Sequence, residues 1–85
     1  MRTKDFLKTS KGIIHDYIVE NSDENEELPE FRIYTVWSSK TLQNNKALLS
    51  TTLSDDMYYE STYDGDNEEI YLDAYKKVKS ISRKV

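Results

Sequence analysis

The chain lacks cysteine, and it contains one histidine, one proline and two glycines among 85 residues. Without cysteine it can form neither a disulfide nor a thiolate zinc site, and it has no cysteine nucleophile. The single histidine, His15, cannot supply a histidine-based metal site or a histidine-paired nucleophile within one chain. Two glycines also argue against a glycine-rich phosphate-binding loop. We therefore expect a protein that is not an enzyme and that needs no cofactor and no metal.

Long hydrophobic runs are also absent. The longest are two or three residues, so the sequence predicts no membrane-spanning segment and no secretion leader. Hydrophobic residues make up 36% of the chain, which is enough for a thin core in a single domain over residues 1–85. We expect a soluble protein of the cytoplasm.

The charge is distributed in blocks along the chain. Residues 1–19 carry +2, 20–30 carry -6, 31–54 carry +3, 55–73 carry -8 and 74–85 carry +5, which gives the net charge of -4. Fourteen of the sixteen acidic residues lie in the two negative blocks, so the folded surface should have acidic zones. Such zones keep many domains soluble, and they can also bind a partner.

The first segment has the pattern of an amphipathic helix from about Thr3 to Val19. Residues on its apolar stripe recur at spacings of three and four. They are Phe6, Leu7, Ser10, Ile13, Ile14, Tyr17 and Ile18. A cationic solvent face carries Lys4, Lys8, Lys11 and His15. The helix should therefore cover a sheet with the first set and present the second to solvent.

An acidic loop at residues 20–30 follows the helix and ends near Pro29. The next three segments alternate with a period of two, which predicts strands over residues 31–37, 47–53 and 57–63. We expect turns at Asn44-Asn45 and at Ser54 to Asp56. The residues predicted to face the helix are Phe31, Ile33, Trp37, Leu49, Leu53, Met57 and Tyr59. The opposite face would carry Arg32, Tyr34, Val36, Leu48, Ser50, Thr52, Tyr58, Glu60 and Thr62.

The segment at residues 68–75, after the turn at Asp64-Gly65, fits two structures equally well. As a helix it has acids in its first turn and lysines near its last. As a strand it alternates Ile70 and Leu72 with Tyr71 and Asp73. The predicted fold is α+β, with an N-terminal amphipathic helix packed on an antiparallel meander of three or four strands and a possibly helical C-terminal segment.

A calcium loop is the metal site that the acidic residues suggest most directly. Asp64, Asp66 and Glu68 alternate as calcium ligands do. The loop also requires glycine at its sixth position and glutamate at its twelfth, where this chain has Glu69 and Tyr75. The pattern therefore argues against calcium binding.

Four stretches of the chain resemble a known group of proteins. These are Trp37–Leu53, Met57–Glu60, Thr62–Asp66 and Ile70–Lys77. They resemble a family of small uncharacterised proteins, a domain of unknown function, encoded by phages and prophages of Gram-positive bacteria. In that family glycine often stands at the position of Asp56. The resemblance implies a cytoplasmic protein of an infected bacterial cell, and such small proteins commonly bind a host or defence protein.

The function that we expect is binding and inhibition, or modification, of a host or defence macromolecule. The acidic block could imitate the phosphates of a nucleic acid and occupy the basic groove of a protein that handles it. Partner-binding residues would be Asp55, Asp56, Tyr58, Glu60, Asp64, Asp66, Glu68 and Glu69. The face with Tyr34, Leu48 and Tyr58 is a further candidate surface, because tyrosine is favoured at interfaces.

A nucleic-acid-binding accessory protein is the alternative. Lys4, Lys8, Lys11 and the cluster at residues 76–84 would contact phosphates, and sheet aromatics would stack on bases. The acids on the third strand and its turns oppose this interpretation, because they would repel a polyanion.

Overall fold

The computed structural model of the protein describes residues 1–22 and 27–84. These residues form helix α1 (Thr3–Glu20) and strands β1 (Ile33–Thr41), β2 (Asn44–Thr51), β3 (Met57–Asp64) and β4 (Glu69–Lys76). The strands make one antiparallel sheet in the order β1-β2-β3-β4, so each strand pairs with its neighbours in the chain. The α+β prediction is confirmed. Part of the predicted acidic loop, residues 23–26, lies outside the described residues.

Helix α1 packs on one face of the sheet through a stripe with a spacing of four residues. Phe6, Ser10, Ile14 and Ile18 are buried on this stripe, as the sequence predicts. At the end of the helix, the side chains of Asn21 and Ser22 donate to the carbonyl oxygens of Tyr17 and Val19, both at 2.8 Å. These bonds satisfy two of the carbonyl groups that a helix end leaves free.

The core lies between α1 and the strands. Phe6, Ile14, Ile18, Ala47, Leu49 and Tyr59 are its buried apolar residues. Partly buried side chains surround them, and they include Phe31, Ile33, Leu53 and Met57 from the predicted core set. One polar pair is enclosed with them, because the hydroxyl oxygens of Ser10 and Ser61 lie 2.7 Å apart.

The prediction that Trp37 is buried in this core was wrong. The pairing of β1 with β2 shifts register between Thr35 and Trp37, which leaves Val36 as an extra residue in a β-bulge. One extra residue reverses the alternation of side chains after it. Thr35 pairs with the buried Leu49, but Trp37 pairs with Leu48 on the opposite face of the sheet. The side chain of Trp37 is consequently 43% exposed.

Two further predictions of local structure need correction. The first hairpin turns at Leu42-Gln43, and Asn44 and Asn45 belong to β2 instead of forming the turn. Leu42 has a φ of 55° and Gln43 has no positive φ, which is the pattern of a type II′ hairpin turn. Residues 69–76 form a strand, so the helical alternative for this segment is wrong, and residues 77–84 have no helix either.

Candidate binding surface

The face of the sheet away from α1, called here the outer face, is uncovered by any described element. Paired residues of an antiparallel sheet point to the same side, so the register defines three rows of side chains across this face. The rows are Tyr34, Ser50, Tyr58 and Tyr75; Trp37, Leu48, Glu60 and Asp73; and Ser39, Lys46, Thr62 and Tyr71.

Large aromatic side chains dominate these rows. We name Tyr34, Trp37, Tyr58, Tyr71 and Tyr75 the aromatic patch. Four of them are 43–52% exposed, and only Tyr58 is more deeply covered. Five aromatic side chains on one uncovered sheet face are more than the single exposed apolar residues that a protein surface usually carries. The outer face therefore has the composition of an interface.

The sequence predicts part of this patch and misses the rest. Tyr34, Leu48 and Tyr58 lie on the outer face as expected. Trp37 was missed because of the bulge at Val36. Tyr71 and Tyr75 were missed because their segment fits a helix as well as a strand, although their alternation with apolar residues carried the correct signal.

The charges inside the rows are mainly negative. Glu60 lies directly opposite Asp73 on the neighbouring strand. Lys46 is the one cation in the three rows, and its Nζ lies 3.1 Å from a carboxylate oxygen of Glu60. An exposed pair of this kind contributes little to stability. It nevertheless neutralises one acid locally and leaves Asp73 to give the patch a negative charge.

The turn between β3 and β4 forms an acidic end to the outer face. The carboxylate of Asp64 accepts a 2.7 Å hydrogen bond from the side chain of Asn67 and a 3.0 Å bond from the amide of Asp66. These donors hold the pKa of Asp64 below its ordinary value, with the side-chain bond from Asn67 as the largest cause. Asp66 and Glu68 are exposed beside it.

This turn is held against the first hairpin. The amide of Gly65 donates to the side chain of Asn44 at 3.0 Å. A Cβ at position 65 would lie 2.3 Å from the carbonyl oxygen of Gln43, so only glycine allows this approach. At the start of β4, the hydroxyl of Tyr71 donates to Glu69, and this bond is the largest cause of the raised pKa of Tyr71. The acidic turn is therefore joined both to its neighbouring turn and to the aromatic patch.

Asp55 and Asp56 lie in the other turn of β3, between β2 and β3. The carboxylate of Asp55 accepts a 3.1 Å bond from the amide of Met57, and Asp56 has a φ of 56°. β3 has eight residues, so the two turns are separated by roughly 25 Å. The eight predicted site residues thus form two acidic turns, with Tyr58 and Glu60 on the outer face between them.

The lysines of α1 lie on the other side of the molecule. Lys4, Lys8 and Lys11 line a shallow groove of about 620 Å³ on the helix. Because α1 packs on the face of the sheet opposite the outer face, these lysines and the aromatic patch lie on opposite sides of the sheet. The lysine cluster at residues 76–84, which the nucleic-acid alternative also uses, begins at the end of β4.

Other kinds of site find little support in the described ranges. No cluster of three or more His, Asp or Glu residues there could hold a metal ion. Across the same ranges, no helix combines the length and the apolar character that crossing a membrane requires.

The aromatic patch and the acidic turns lie within the region that a protein family shares. A family described as "Family of unknown function (DUF6275)" matches residues 7–85. The chain belongs to this family. The prediction of an uncharacterised family is confirmed, and the match extends beyond the four similar stretches within residues 37–77 to include most of α1. No curated protein and no solved structure matches the chain.

Proposed function

We propose that this member of the DUF6275 family is a non-enzymatic binding protein whose outer face docks on a basic surface of another protein. The observation that carries the proposal is the uncovered aromatic patch. Tyrosine and tryptophan bury a large area with few rotatable bonds, so ordering them in an interface costs little entropy. Because they stand on paired strands, their positions are fixed before a partner arrives.

The charges support a basic partner. Glu60 and Asp73 lie inside the patch, and the two acidic turns lie beyond its ends. Arginine suits such a surface, because its guanidinium stacks on aromatic rings and pairs with carboxylates. A basic groove that normally holds nucleic acid has these groups, so nucleic-acid mimicry is one form of the proposed activity.

The proposed partner is a protein of the bacterial cell. The resemblance to phage and prophage proteins supports a host or defence protein in the bacterial cytoplasm as the partner. Binding would inhibit or modify that protein by covering its basic surface.

Affinity capture from a bacterial host, followed by titration of the captured protein, tests the proposal. We expect Glu60→Gln/Asp73→Asn to weaken binding at least tenfold, because both charges lie inside the contact. Asp16→Asn/Glu20→Gln removes the same charge from α1 and is the matched control. Trp37 is the only tryptophan, and its emission should shift on binding because it lies in the contact.

Equal binding by both double variants would contradict the proposal.

Single-stranded nucleic acid is the second candidate ligand, because the aromatic patch could stack on bases. The acids at Glu60 and Asp73 oppose a polyanion, so we expect no binding of a labelled oligonucleotide at low salt. Binding that weakens steeply as the salt concentration rises would favour this alternative over a basic protein.

A further inference from the structure

The C-terminal tail, defined as residues 77–84, contacts little of its own chain. It has no helix or strand, and all of its residues are exposed. Val78 is 95% exposed and Ile81 is 78% exposed. The remaining residues include four cations, Lys77, Lys79, Arg83 and Lys84. The tail is therefore basic and partly apolar, whereas the outer face is acidic and aromatic.

The start of the tail is held in line with β4, in the plane of the sheet. β4 ends opposite Met57, beside the turn between β2 and β3. The amide of Lys77 donates to the carbonyl oxygen of Asp56 at 2.8 Å, which continues the line of β4. To cover its own face the tail would have to reverse direction, and it contains neither glycine nor proline to favour a turn.

We infer that the outer face binds the C-terminal tail of a second copy of this chain, in a dimer where each copy supplies one tail and one face. Eight extended residues span roughly 25 Å, which equals the length of an eight-residue strand such as β3. The tail is extended with three residues per turn, so Val78 and Ile81 lie on the same side and bury their side chains against the aromatic patch. The tail cations pair with Glu60, Asp73 and the acidic turns.

A two-fold arrangement lets both copies make the same exchange and closes the assembly. The inference rests on the proposed function, because both use the outer face and both require a basic ligand. It adds a regulatory consequence. A basic partner protein competes with the tail, so binding of that partner converts the dimer into a one-to-one complex.

Sedimentation equilibrium of the full chain tests the dimer. We expect a mass of twice 10.0 kDa at low salt, with dissociation on dilution or on addition of salt. Truncation after Lys77 should give a monomer. Lys79→Gln/Arg83→Gln/Lys84→Gln should raise the dissociation constant more than tenfold. Lys4→Gln/Lys8→Gln/Lys11→Gln removes the same charge from α1 and should leave the constant unchanged.

A second measurement identifies the contact. A synthetic peptide of residues 77–84, added to the truncated chain, should shift the emission of Trp37, and a peptide with the cations replaced by glutamine should not. A monomeric full chain at every concentration would overturn the dimer, and so would a dimer that survives truncation. A full chain that stays monomeric and still binds the captured protein through Glu60 and Asp73 would leave the proposed function standing. A tail-dependent dimer whose truncated form binds no basic protein would overturn the proposed function alone.

Discussion

Among residues 1–22 and 27–84, three residues other than glycine have a positive φ, and each lies in or beside a turn of the meander. Leu42, Asp56 and Glu68 have φ values of 55°, 56° and 51°. Left-handed backbone costs an L-residue about 1–2 kcal/mol, and glycine avoids most of that cost. A glycine at the position of Asp56, which the resemblance implies for related proteins, would avoid this cost.

Leu42 is the residue where relief of this strain is easiest to measure. Its side chain is 90% exposed, so replacing it removes almost no packing. We expect Leu42→Gly to raise the free energy of unfolding by about 1 kcal/mol, since glycine is favoured at the first position of a type II′ turn. Urea denaturation measures the change. Leu42→Ala keeps the strained φ and is the control, and a glycine variant no more stable than the alanine variant would contradict this account.

At the scale of elements, the hydrophobic pattern is sufficient to predict α1 and the existence of three of the strands. A stripe at helical spacing and an alternation of period two are the direct results of which face is buried. The sequence does not indicate the bulge in β1, because Val36 and Trp37 fit the alternation of an unbroken strand. The sequence of β4 fits both the helical and the strand period. Pairing with a neighbouring strand selects the strand, and the local sequence does not specify that pairing.

Because the bulge places Trp37 outside the core, we expect Trp37 and Tyr59 to contribute different amounts to stability. Tyr59 is 1% exposed and packs in the core, so Tyr59→Ala should cost roughly 3–5 kcal/mol and unfold much of this small domain. Trp37 lies on the outer face, so Trp37→Ala should cost only about 1 kcal/mol. Thermal and urea melts of both variants measure the difference. Similar losses for the two would show that Trp37 contributes to the core.

At the scale of the whole molecule, the fold places the charge blocks of the sequence on different surfaces. The block at residues 55–73 forms the two acidic turns and part of the outer face, and two of the three basic blocks form the exposed side of α1 and the C-terminal tail. The sequence predicted that acidic zones exist. It could not predict that they frame an aromatic patch, because that arrangement depends on strand register and on the bulge.

The hydrogen bond between Ser10 of α1 and Ser61 of β3 links the helix to the sheet, and substitutions of this pair measure how much it stabilises the fold. Both side chains are fully buried, and their hydroxyl groups satisfy one another. Ser61→Ala should cost about 1–3 kcal/mol, because it leaves the hydroxyl of Ser10 buried without this partner. The double variant Ser10→Ala/Ser61→Ala should recover most of that loss. A double-mutant cycle measures the coupling, and additive losses would show that the hydroxyl groups do not depend on each other.

The order of the strands has a consequence for how quickly the chain folds. Every strand pairs with its neighbour in sequence, so the sheet can grow hairpin by hairpin with short loops to close. Helix α1 is synthesised first, yet its apolar stripe has no surface to cover until β2 and β3 exist. Most of the stability of an amphipathic helix comes from packing its apolar face. We therefore expect α1 to become stable only after the meander has formed. Docking of α1 on the sheet would then be a late step in folding.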